Sequence, residues 1–319
     1  MALTLGESTL QATSIRIGTR GSPLALAQAH EVRRLLAAAH NLSLDAIVIN
    51  VIKTSGDRIL DRPLAEIGGK GLFTKEIEEA LLANEVDIAV HSMKDMQTDL
   101  PEGLILGAAL PREDVRDAFI SLKYSTLDDL PSGATVGTSS LRRQAQLLNL
   151  RPDLEVVGFR GNVQTRLKKL QEGVADATFL AVAGLKRLGM EDRITSAIPL
   201  DVMLPAVAQG AIGLEIRAGD TATAILIAPL NDNETHMAVA AERGFLARLE
   251  GSCRTPIAGL AQMYDGVLLL RGQVLSPDGK ISYAVRSQGS LANPVDLGFA
   301  AANEILSKAD RSVLAWARP

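Results

Sequence analysis

The sequence has very little sulfur and few aromatic rings, and both scarcities limit what the protein can do. Cys253 is its only cysteine, so no disulfide can form within the chain. Most free cysteines are buried and inert. This one lies in a predicted loop between Gly251 and Pro256 and beside Arg254, a cation that favours the reactive thiolate. Aromatic residues make up 3% of the chain, and only Phe159 lies near the centre of the most basic segment, which is too few for a nucleic-acid stacking surface.

Long apolar runs, an export signal and metal-ligand histidines are also lacking. No stretch of about 18 apolar residues occurs, so we expect no transmembrane helix. Residues 1–14 contain neither Lys nor Arg, which predicts a flexible tail rather than a signal peptide. Together with the single thiol, this predicts a protein of the reducing cytoplasm. The four histidines have no metal-ligand spacing, so we predict no metal site.

The charge of the chain is unevenly distributed. The formal net charge is −4, yet residues 140–190 hold nine Lys or Arg and four Asp or Glu, a net charge of +5. A basic segment in an acidic protein predicts an anionic ligand. The sequence has no Walker or dinucleotide-binding loop, since Gly68-Gly69-Lys70-Gly71 matches neither spacing.

One pattern recurs along the chain: an apolar strand, a turn rich in small polar residues, and an amphipathic helix. This alternation predicts two α/β lobes with mainly parallel mixed sheets, as in periplasmic binding proteins, followed by a small C-terminal α+β domain. We expect a tail at 1–14, a first lobe at 15–110 and 211–229, a second lobe at 111–210 and a third domain at 230–319. Residues 212–216 are expected to return to the first sheet. Ligands of such folds lie beyond the carboxyl ends of the strands.

Arginines follow several of the predicted strands. Arg142 and Arg143 fall in the first turn of a predicted helix, where cations oppose the helix dipole at a cost of roughly 0.3–1 kcal/mol each. A bound anion would remove that conflict, although a solvated surface is the simpler explanation for the pair alone. Arg20, Arg160, Arg166 and Arg187 also follow strands. Together they predict a long cleft for a polycarboxylate or a polyphosphate.

An acidic residue stands at another strand end. Asp95 follows Lys94 directly. The two residues could form an ordinary surface ion pair. In an arginine-lined cleft, however, the carboxylate could stabilise a cationic intermediate or move a proton. Nearby His91 is expected to be a buried, hydrogen-bonded histidine rather than a catalytic one.

These segments together resemble the porphobilinogen deaminase (hydroxymethylbilane synthase) family of tetrapyrrole biosynthesis. The matching motifs run from about residue 15 to residue 257 and are specific as a set. They are Arg16-Ile-Gly-Thr-Arg-Gly-Ser-Pro-Leu-Ala-Leu26, Gly68-Gly-Lys-Gly-Leu-Phe73, Asp87-Ile-Ala-Val-His-Ser-Met-Lys-Asp95, Val136-Gly-Thr-Ser-Ser-Leu-Arg-Arg-Gln144, Phe159-Arg-Gly-Asn-Val-Gln-Thr-Arg166, Ala181-Val-Ala-Gly-Leu-Lys-Arg-Leu-Gly189, Leu204-Pro-Ala-Val-Ala-Gln-Gly-Ala211 and Gly251-Ser-Cys-Arg-Thr-Pro-Ile257. Met96-Gln97 departs from the Val-Pro that usually follows the aspartate, and the last sixty or so residues match only in outline.

The resemblance implies a transferase that joins four porphobilinogen molecules head to tail. Ammonia is lost at each step, and hydroxymethylbilane is finally released by water. The growing chain is anchored to a dipyrromethane cofactor, one per chain, held by a thioether on a cysteine that corresponds to Cys253. Every ring carries two carboxylates, which explains an arginine-rich cleft in an acidic protein. By the same resemblance Asp95 is the catalytic residue, which stabilises positive charge as the aminomethyl group leaves and the azafulvene forms.

The resemblance also assigns binding residues. Those assigned to the cofactor, besides the covalent Cys253, are Lys94, Ser139, Ser140, Arg142, Arg143, Arg166 and Arg187. Those assigned to the substrate are Arg20, Ser22 and Arg160. The expected partner is porphobilinogen, with no nucleic acid and no membrane, and the expected state is a monomer. The alternative function is a non-catalytic, two-lobed anion-binding receptor, against which the missing export signal counts.

Overall fold

The structure is a computed structural model that describes residues 14–58, 71–252 and 255–309. Three features singled out in the sequence fall outside these ranges: the N-terminal tail up to residue 13, the glycine-rich turn as far as Lys70, and Cys253 with its neighbour Arg254. Within the described ranges, no helix is long and apolar enough to cross a membrane.

The first lobe is built on a five-stranded mixed sheet of order β2-β1-β3-β10-β4. Its strands are β1 (Ile15–Thr19), β2 (Ile47–Val51), β3 (Ile88–Ser92), β4 (Leu104–Ala109) and β10 (Ile212–Arg217). Its helices are α1 (Pro23–His40), α2 (Ser55–Arg58), α3 (Lys75–Leu82) and α7 (Thr221–Ile227). Strand β1 runs parallel to β2 and β3, whereas β10 pairs antiparallel with β3 and β4. The predicted return of residues 212–216 to the first sheet is therefore confirmed.

The second lobe repeats this plan with a sheet of order β7-β6-β8-β5-β9. Its strands are β5 (Asp117–Ser121), β6 (Thr135–Gly137), β7 (Glu155–Val157), β8 (Ala177–Ala181) and β9 (Ser196–Ala197). Its helices are α4 (Leu141–Leu150), α5 (Val163–Gln171) and α6 (Val182–Arg187). Strand β6 runs parallel to β7 and β8, and β5 pairs antiparallel with β8 and β9. In each lobe, one strand pairs antiparallel with a neighbouring parallel strand: β10 with β3 in the first lobe and β5 with β8 in the second. Each of these strands is the first one after the chain has passed over from the other lobe.

The C-terminal unit is a three-stranded antiparallel sheet of order β11-β12-β13 packed on two helices. Its elements are α8 (Asn233–Arg248), β11 (Ile257–Tyr264), β12 (Val267–Leu275), β13 (Ser282–Gly289) and α9 (Pro294–Lys308). Phe245 of α8 and Ile305 of α9 are fully buried in its core. The predicted fold class, two α/β lobes and a small α+β domain, is confirmed. The exact domain limits stay predictions.

Local capping explains why several helices begin beside the candidate site. Ser22 is the N-cap of α1, with its hydroxyl accepting the Ala25 N–H at 3.3 Å and Pro23 as the first helical residue. Ser140 is the N-cap of α4, and Asn162 is the N-cap of α5. The chain therefore leaves each strand and enters a helix within a few residues, which places these turns at the carboxyl edge of each sheet.

Candidate active site

Asp95 lies in a small pocket at the carboxyl ends of β1 and β3. The strand β3 ends at Ser92, and one 3-10 turn, Met93–Asp95, carries the chain away from the sheet. The pocket has a volume of about 60 Å³, and its polar lining includes Asp95, Arg20, Ser22, Thr74 and His91. A carboxylate and an arginine in one small pocket can bind a ligand that bears both a cationic centre and a carboxylate.

Arg20, which lines this pocket, makes two interactions with other residues of the first lobe. Its guanidinium forms a bidentate ion pair with Asp57, which lies just before the undescribed residues 59–70. Its Cζ also lies 4.2 Å from the ring centroid of Phe73, a cation–π contact. The ion pair with Arg20 and hydrogen bonds from Thr54 outweigh burial and lower the pKa of Asp57. A substrate carboxylate that binds Arg20 therefore has to share it with Asp57.

Lys94 faces the second lobe. Burial lowers the pKa of its ammonium to about 8, with Asp95 opposing the shift and Arg143 adding to it. The second-lobe groups Arg143, Asp117 and Arg142 all act on it electrostatically. The lysine therefore stands between the catalytic candidate of one lobe and the arginine pair of the other.

Arg142 and Arg143 are buried, with 4% and 5% of their surface exposed, and both pair with one carboxylate. Arg142 Nη1 donates to Asp117 Oδ2 at 2.7 Å and to the Leu204 carbonyl at 2.7 Å. Arg143 Nη2 donates to Asp117 Oδ1 at 2.6 Å, and its Nη1 to the Phe179 carbonyl at 3.0 Å. The two guanidiniums hold the pKa of the fully buried Asp117 far below its usual range, against the effect of burial.

The pair with Asp117 changes the interpretation of these two arginines. The sequence pattern predicted an external anion that compensates two cations in the first turn of a helix. Both residues do lie in the first turn of α4, but an internal carboxylate provides much of the compensation. Arg142 Nε is nevertheless buried without a hydrogen-bond partner. The network thus carries two positive charges against one negative charge and keeps one donor unsatisfied.

Arg160 and Arg166 flank the start of α5 on the same side of the second lobe. Arg166 Nε donates to the Gly161 carbonyl at 2.9 Å, and burial lowers its pKa to about 10. Arg143 and Arg160 lower that pKa further, whereas Asp95 opposes the shift. Arg160 Nη1 is buried and has no hydrogen-bond partner. The electrostatic interaction between Arg166 and Asp95 indicates that Arg166 lies on the side of the second lobe nearest the first-lobe pocket.

The remaining predicted ligands are engaged in structural contacts. Ser139 Oγ accepts the Phe159 N–H at 2.9 Å, and Ser140 Oγ accepts the Arg143 N–H at 3.5 Å. Arg187 bridges the lobes, with Nη2 donating to the Gly210 carbonyl at 2.9 Å and Nε 3.4 Å from Glu31 Oε2 on α1. Burial lowers the pKa of this guanidinium. Arg187 thus joins the two lobes in addition to any ligand it binds.

The arginine cluster fits a cofactor that carries several carboxylates. The donor set is cationic and planar, which suits bidentate carboxylate binding. Arg142 Nε and Arg160 Nη1 are buried donors without partners, and such atoms are costly unless a ligand satisfies them. In the described ranges, no group of three or more His, Cys, Asp or Glu side chains is placed to hold a metal ion.

Sequence reasoning missed the internal carboxylates that pair with the cleft arginines. They are Asp57 for Arg20, Asp117 for Arg142 and Arg143, and Glu31 for Arg187. Only Asp117 had a signal of a buried charge, because it heads the largely apolar strand Asp117–Ser121, but nothing local identified its arginine partners. The partners in the other two pairs lie far apart in the chain, 37 residues in the nearer case, beyond any local pattern.

Comparison with known proteins gives matches over most of the chain. The family model "Porphobilinogen deaminase, dipyromethane cofactor binding domain" matches residues 15–225, and the model of the porphobilinogen deaminase C-terminal domain matches residues 236–307. Porphobilinogen deaminase of Paracoccus denitrificans is 60% identical over 302 residues, covering 95% of this chain and 96% of that protein. The enzyme of Nitrobacter hamburgensis is 56% identical over 304 residues, covering 95% of each. Among solved structures, a putative methionine-binding lipoprotein of Bacillus subtilis is 16% identical, with a TM-score of 0.42, and the match covers 68% of this chain and 90% of that one.

Proposed function

Because the chain belongs to the porphobilinogen deaminase family, we propose that porphobilinogen is condensed in the cleft between its lobes, with Asp95 as the catalytic residue. The family activity is a transferase reaction of tetrapyrrole biosynthesis, and its cofactor is dipyrromethane. The placement of Asp95 in a pocket with Arg20 and Ser22, opposite the cationic face of the second lobe, is the observation that supports the assignment. The alternative, an anion receptor without catalysis, rests only on a distant likeness of fold.

The reaction requires a negative charge beside the pyrrole ring that becomes positively charged. Loss of ammonia from the aminomethyl group of porphobilinogen leaves a positively charged pyrrole, which the Asp95 carboxylate stabilises by charge and by accepting the pyrrole N–H. Arg20 holds a carboxylate of the same substrate ring, so the reacting carbon is kept at a fixed distance from Asp95. Ser22 adds a hydroxyl at the beginning of α1.

The second lobe and the C-terminal unit, together with Lys94 of the first lobe, supply the cofactor site in this proposal. Dipyrromethane, when bound, supplies the primer to which the first substrate unit is joined. Lys94, Arg142, Arg143 and Arg166 bind its carboxylates, with Ser139, Ser140 and Arg187 at the margins, and Arg160 binds the substrate. Cys253 lies outside the described residues, and its role as the thioether attachment rests on the motif Gly251-Ser-Cys-Arg-Thr-Pro-Ile257. The monomeric state, the cytoplasmic location and the lack of a nucleic-acid or membrane partner also stay predictions.

Replacing Asp95 with Asn tests the catalytic assignment. The amide keeps the size of the side chain but not its charge, so we expect kcat to fall about 10²–10³-fold while the fold and the bound cofactor are retained. Asp99→Asn is the matched control, because Asp99 is exposed and lies four residues further along the same segment. Near-normal turnover of Asp95→Asn, with the control also normal, would remove Asp95 from the mechanism.

The attachment residue can be tested by mass alone. Intact mass spectrometry of the purified protein should show a species heavier than the sequence by a two-pyrrole adduct, and Cys253→Ser should lack both the adduct and the activity. A fully active protein at the bare sequence mass would contradict this assignment without touching that of Asp95.

A further inference from the structure

A buried histidine–carboxylate pair forms part of the wall of the Asp95 pocket. His91 lines the pocket, and its Nε2 lies 3.1 Å from Glu215 Oε2. His91 is 5% exposed and Glu215 is fully buried. Their strands, β3 and β10, are adjacent and antiparallel, with His91 opposite Gly213. None of the roles proposed for cofactor and substrate residues uses this pair.

Glu215 lies on the same face of the sheet as His91 because β3 and β10 pair in regular register, with Gly213 opposite His91 and Glu215 two residues further along β10. The pairing of β10 with β4 shifts register between Leu214 and Glu215. The extra residue of that irregularity is Gly107 on β4, so it does not redirect Glu215. Glu215 Oε1 is buried without a hydrogen-bond partner, so this carboxylate keeps an acceptor that the protein leaves unused.

Other titratable groups surround the pair. Glu78 on α3 is 3% exposed, has a buried Oε1 without a hydrogen-bond partner, and interacts electrostatically with both His91 and Glu215. Burial, with a contribution from Glu215, raises the pKa of Glu78. Arg243 on α8 acts on Glu215 from the C-terminal unit. Asp95 and Arg20 line the same pocket as His91.

The geometry fixes which imidazole nitrogen can serve as a base. A carboxylate accepts a hydrogen bond, so Glu215 holds the tautomer in which Nε2 carries the proton and Nδ1 is the acceptor. A buried carboxylate also stabilises the imidazolium that forms when Nδ1 takes a proton. This is the arrangement by which an acidic residue orients a histidine base in other enzymes.

The condensation reaction needs such a base in addition to Asp95. Head-to-tail joining forms a carbon–carbon bond at the unsubstituted carbon of a pyrrole ring and breaks the C–H bond at that carbon. The electron pair of this bond returns to the ring, and the proton must go to an acceptor. Ammonia leaves the other ring as a neutral molecule, and the balance of the step is one C–C bond formed with release of one ammonium ion.

We propose that His91, oriented by Glu215, accepts the proton that leaves the ring carbon during each condensation. The imidazolium then gives this proton to the ammonia already released in the same cycle, which becomes the ammonium ion, so the pair returns to its starting state before the next unit binds. Glu215 is a positioning residue in this step, and Glu78 shares the buried charge. The inference rests on the proposed assignment of this pocket as the reaction site.

A kinetic isotope effect tests the step directly. The substrate is porphobilinogen carrying deuterium at its unsubstituted ring carbon, and the enzymes are wild type, His91→Gln and Glu215→Gln, all with cofactor bound. His91→Gln should lower kcat about 10²-fold, the size of a lost general base, with KM little changed. It should also show a larger isotope effect than the wild type, because proton removal has become slow. Glu215→Gln should change both quantities in the same direction but less.

Two further variants separate this proposal from the catalytic assignment of Asp95. His40→Gln is the control for a hydrogen-bonded histidine outside the pocket, since His40 Nε2 bonds the Leu226 carbonyl elsewhere in the first lobe, at 2.7 Å. Asp95→Asn slows loss of ammonia, a step that breaks no ring C–H bond, so its isotope effect should not increase. A slow Asp95→Asn enzyme together with an unaltered His91→Gln enzyme would overturn the proposal for His91 alone.

Chemical rescue with imidazole distinguishes the catalytic role of His91 from a purely structural one. His91→Ala should recover part of its activity when imidazole is added, since free imidazole can fill the space and accept the proton. Thermal unfolding and the cofactor content from intact mass are measured in parallel. Loss of activity that imidazole does not restore, without an increased isotope effect, would mean that His91 only supports the pocket wall, and the proposal would be wrong.

Discussion

Lys94 illustrates how one residue of the cleft can report on its ligand. Its ammonium is held near Asp95 but also near Arg142 and Arg143, and burial lowers its pKa to about 8. A carboxylate placed against it would raise that pKa again. The charge of Lys94 at and above about pH 8 therefore depends on whether a carboxylate is bound.

The predicted effect is a rise of stability with pH in protein without cofactor. An unfolded lysine keeps its proton up to about pH 10.4, whereas folded Lys94 loses it near pH 8. The unfolded state therefore binds more protons between these values, and the free energy of unfolding increases as pH rises through this window. We expect about 1–2 kcal/mol, allowing for solvent screening of a side chain that is only partly buried.

Urea unfolding of Cys253→Ser at pH 7.5 and pH 9.5 measures this effect. The same measurement on Cys253→Ser/Lys94→Met provides the control, because the rise with pH should be smaller there by the Lys94 contribution. Protein with bound cofactor should also lack the rise, since a carboxylate on Lys94 restores its usual pKa. Equal pH dependence in all three would show that Lys94 does not carry it.

At the scale of elements, most helices and strands could be predicted because their signals are local. Ser22 followed by Pro23 is a helix-start signal, and α1 begins there; Ser276-Pro-Asp-Gly279 is a turn sequence, and it connects β12 and β13. The partner of α4 could not be predicted, because Asp117 is 25 residues from Arg142, and nothing local records that a neighbouring strand will place a carboxylate there.

Helix α4 should depend on Asp117 for its attachment to the sheet. Asp117→Asn leaves two buried guanidiniums with a neutral partner, and breaking a buried pair in this way costs about 3–5 kcal/mol. Chemical denaturation at pH 7 should show that loss. Asp153→Asn is the control, because it removes a carboxylate from the exposed side-chain pair with Arg151 and should leave stability nearly unchanged.

The same carboxylate predicts a direction for acid unfolding. The pKa of Asp117 is depressed in the folded state, so its stabilising contribution is present above its usual value of about 4 and is lost as pH falls toward the folded value. The difference in stability between wild type and Asp117→Asn should therefore shrink below about pH 4. A constant difference down to about pH 2 would contradict the ion-pair explanation.

At the scale of the whole molecule, one buried carboxylate links the three parts of the chain. Glu242 of α8 accepts from Arg112 with both oxygens, at 2.6 and 3.0 Å, in the passage from the first lobe to the second. It also accepts the N–H of Ala208, in the return passage, and that of Ala261 in β11. The sequence contained no sign that the C-terminal unit binds both of these passages.

A second contact joins the C-terminal unit to α4. The turn between β12 and β13 lies against that helix, with Asn149 Nδ2 donating to the Gly279 carbonyl at 2.7 Å and Gln144 Nε2 donating to the Pro277 carbonyl at 3.2 Å. Gly279 has a φ of +71°, and a Cβ there would collide with the backbone nitrogen of Asn149. Only glycine allows so close an approach.

Gly279→Ala should therefore loosen this contact. Gly266→Ala is the control, since Gly266 is in the other hairpin turn with a φ of +75°, and a Cβ there would have no atom within 4 Å. Both variants place a side chain on a left-handed backbone, but Gly279→Ala should cost about 1–3 kcal/mol more because of the clash. Thermal unfolding gives the difference, and hydrogen exchange should rise in α4 only for Gly279→Ala. Equal losses in the two variants would show that the contact is not tight.

The internal carboxylates that pair with the cleft arginines affect how strongly an anionic product can be bound as it grows. Each carboxylate that binds Arg20, Arg143 or Arg187 enters a site where Asp57, Asp117 or Glu31 is already bound. At Arg20 and Arg187, a ligand carboxylate therefore competes with an internal carboxylate that is then less well compensated, whereas the Arg142–Arg143 pair has one positive charge more than Asp117 balances. Negative charge accumulates in the cleft with each unit added. We therefore expect the later units of an anionic polymer to be held less strongly than the first, so that the cost of retaining the product rises as it lengthens.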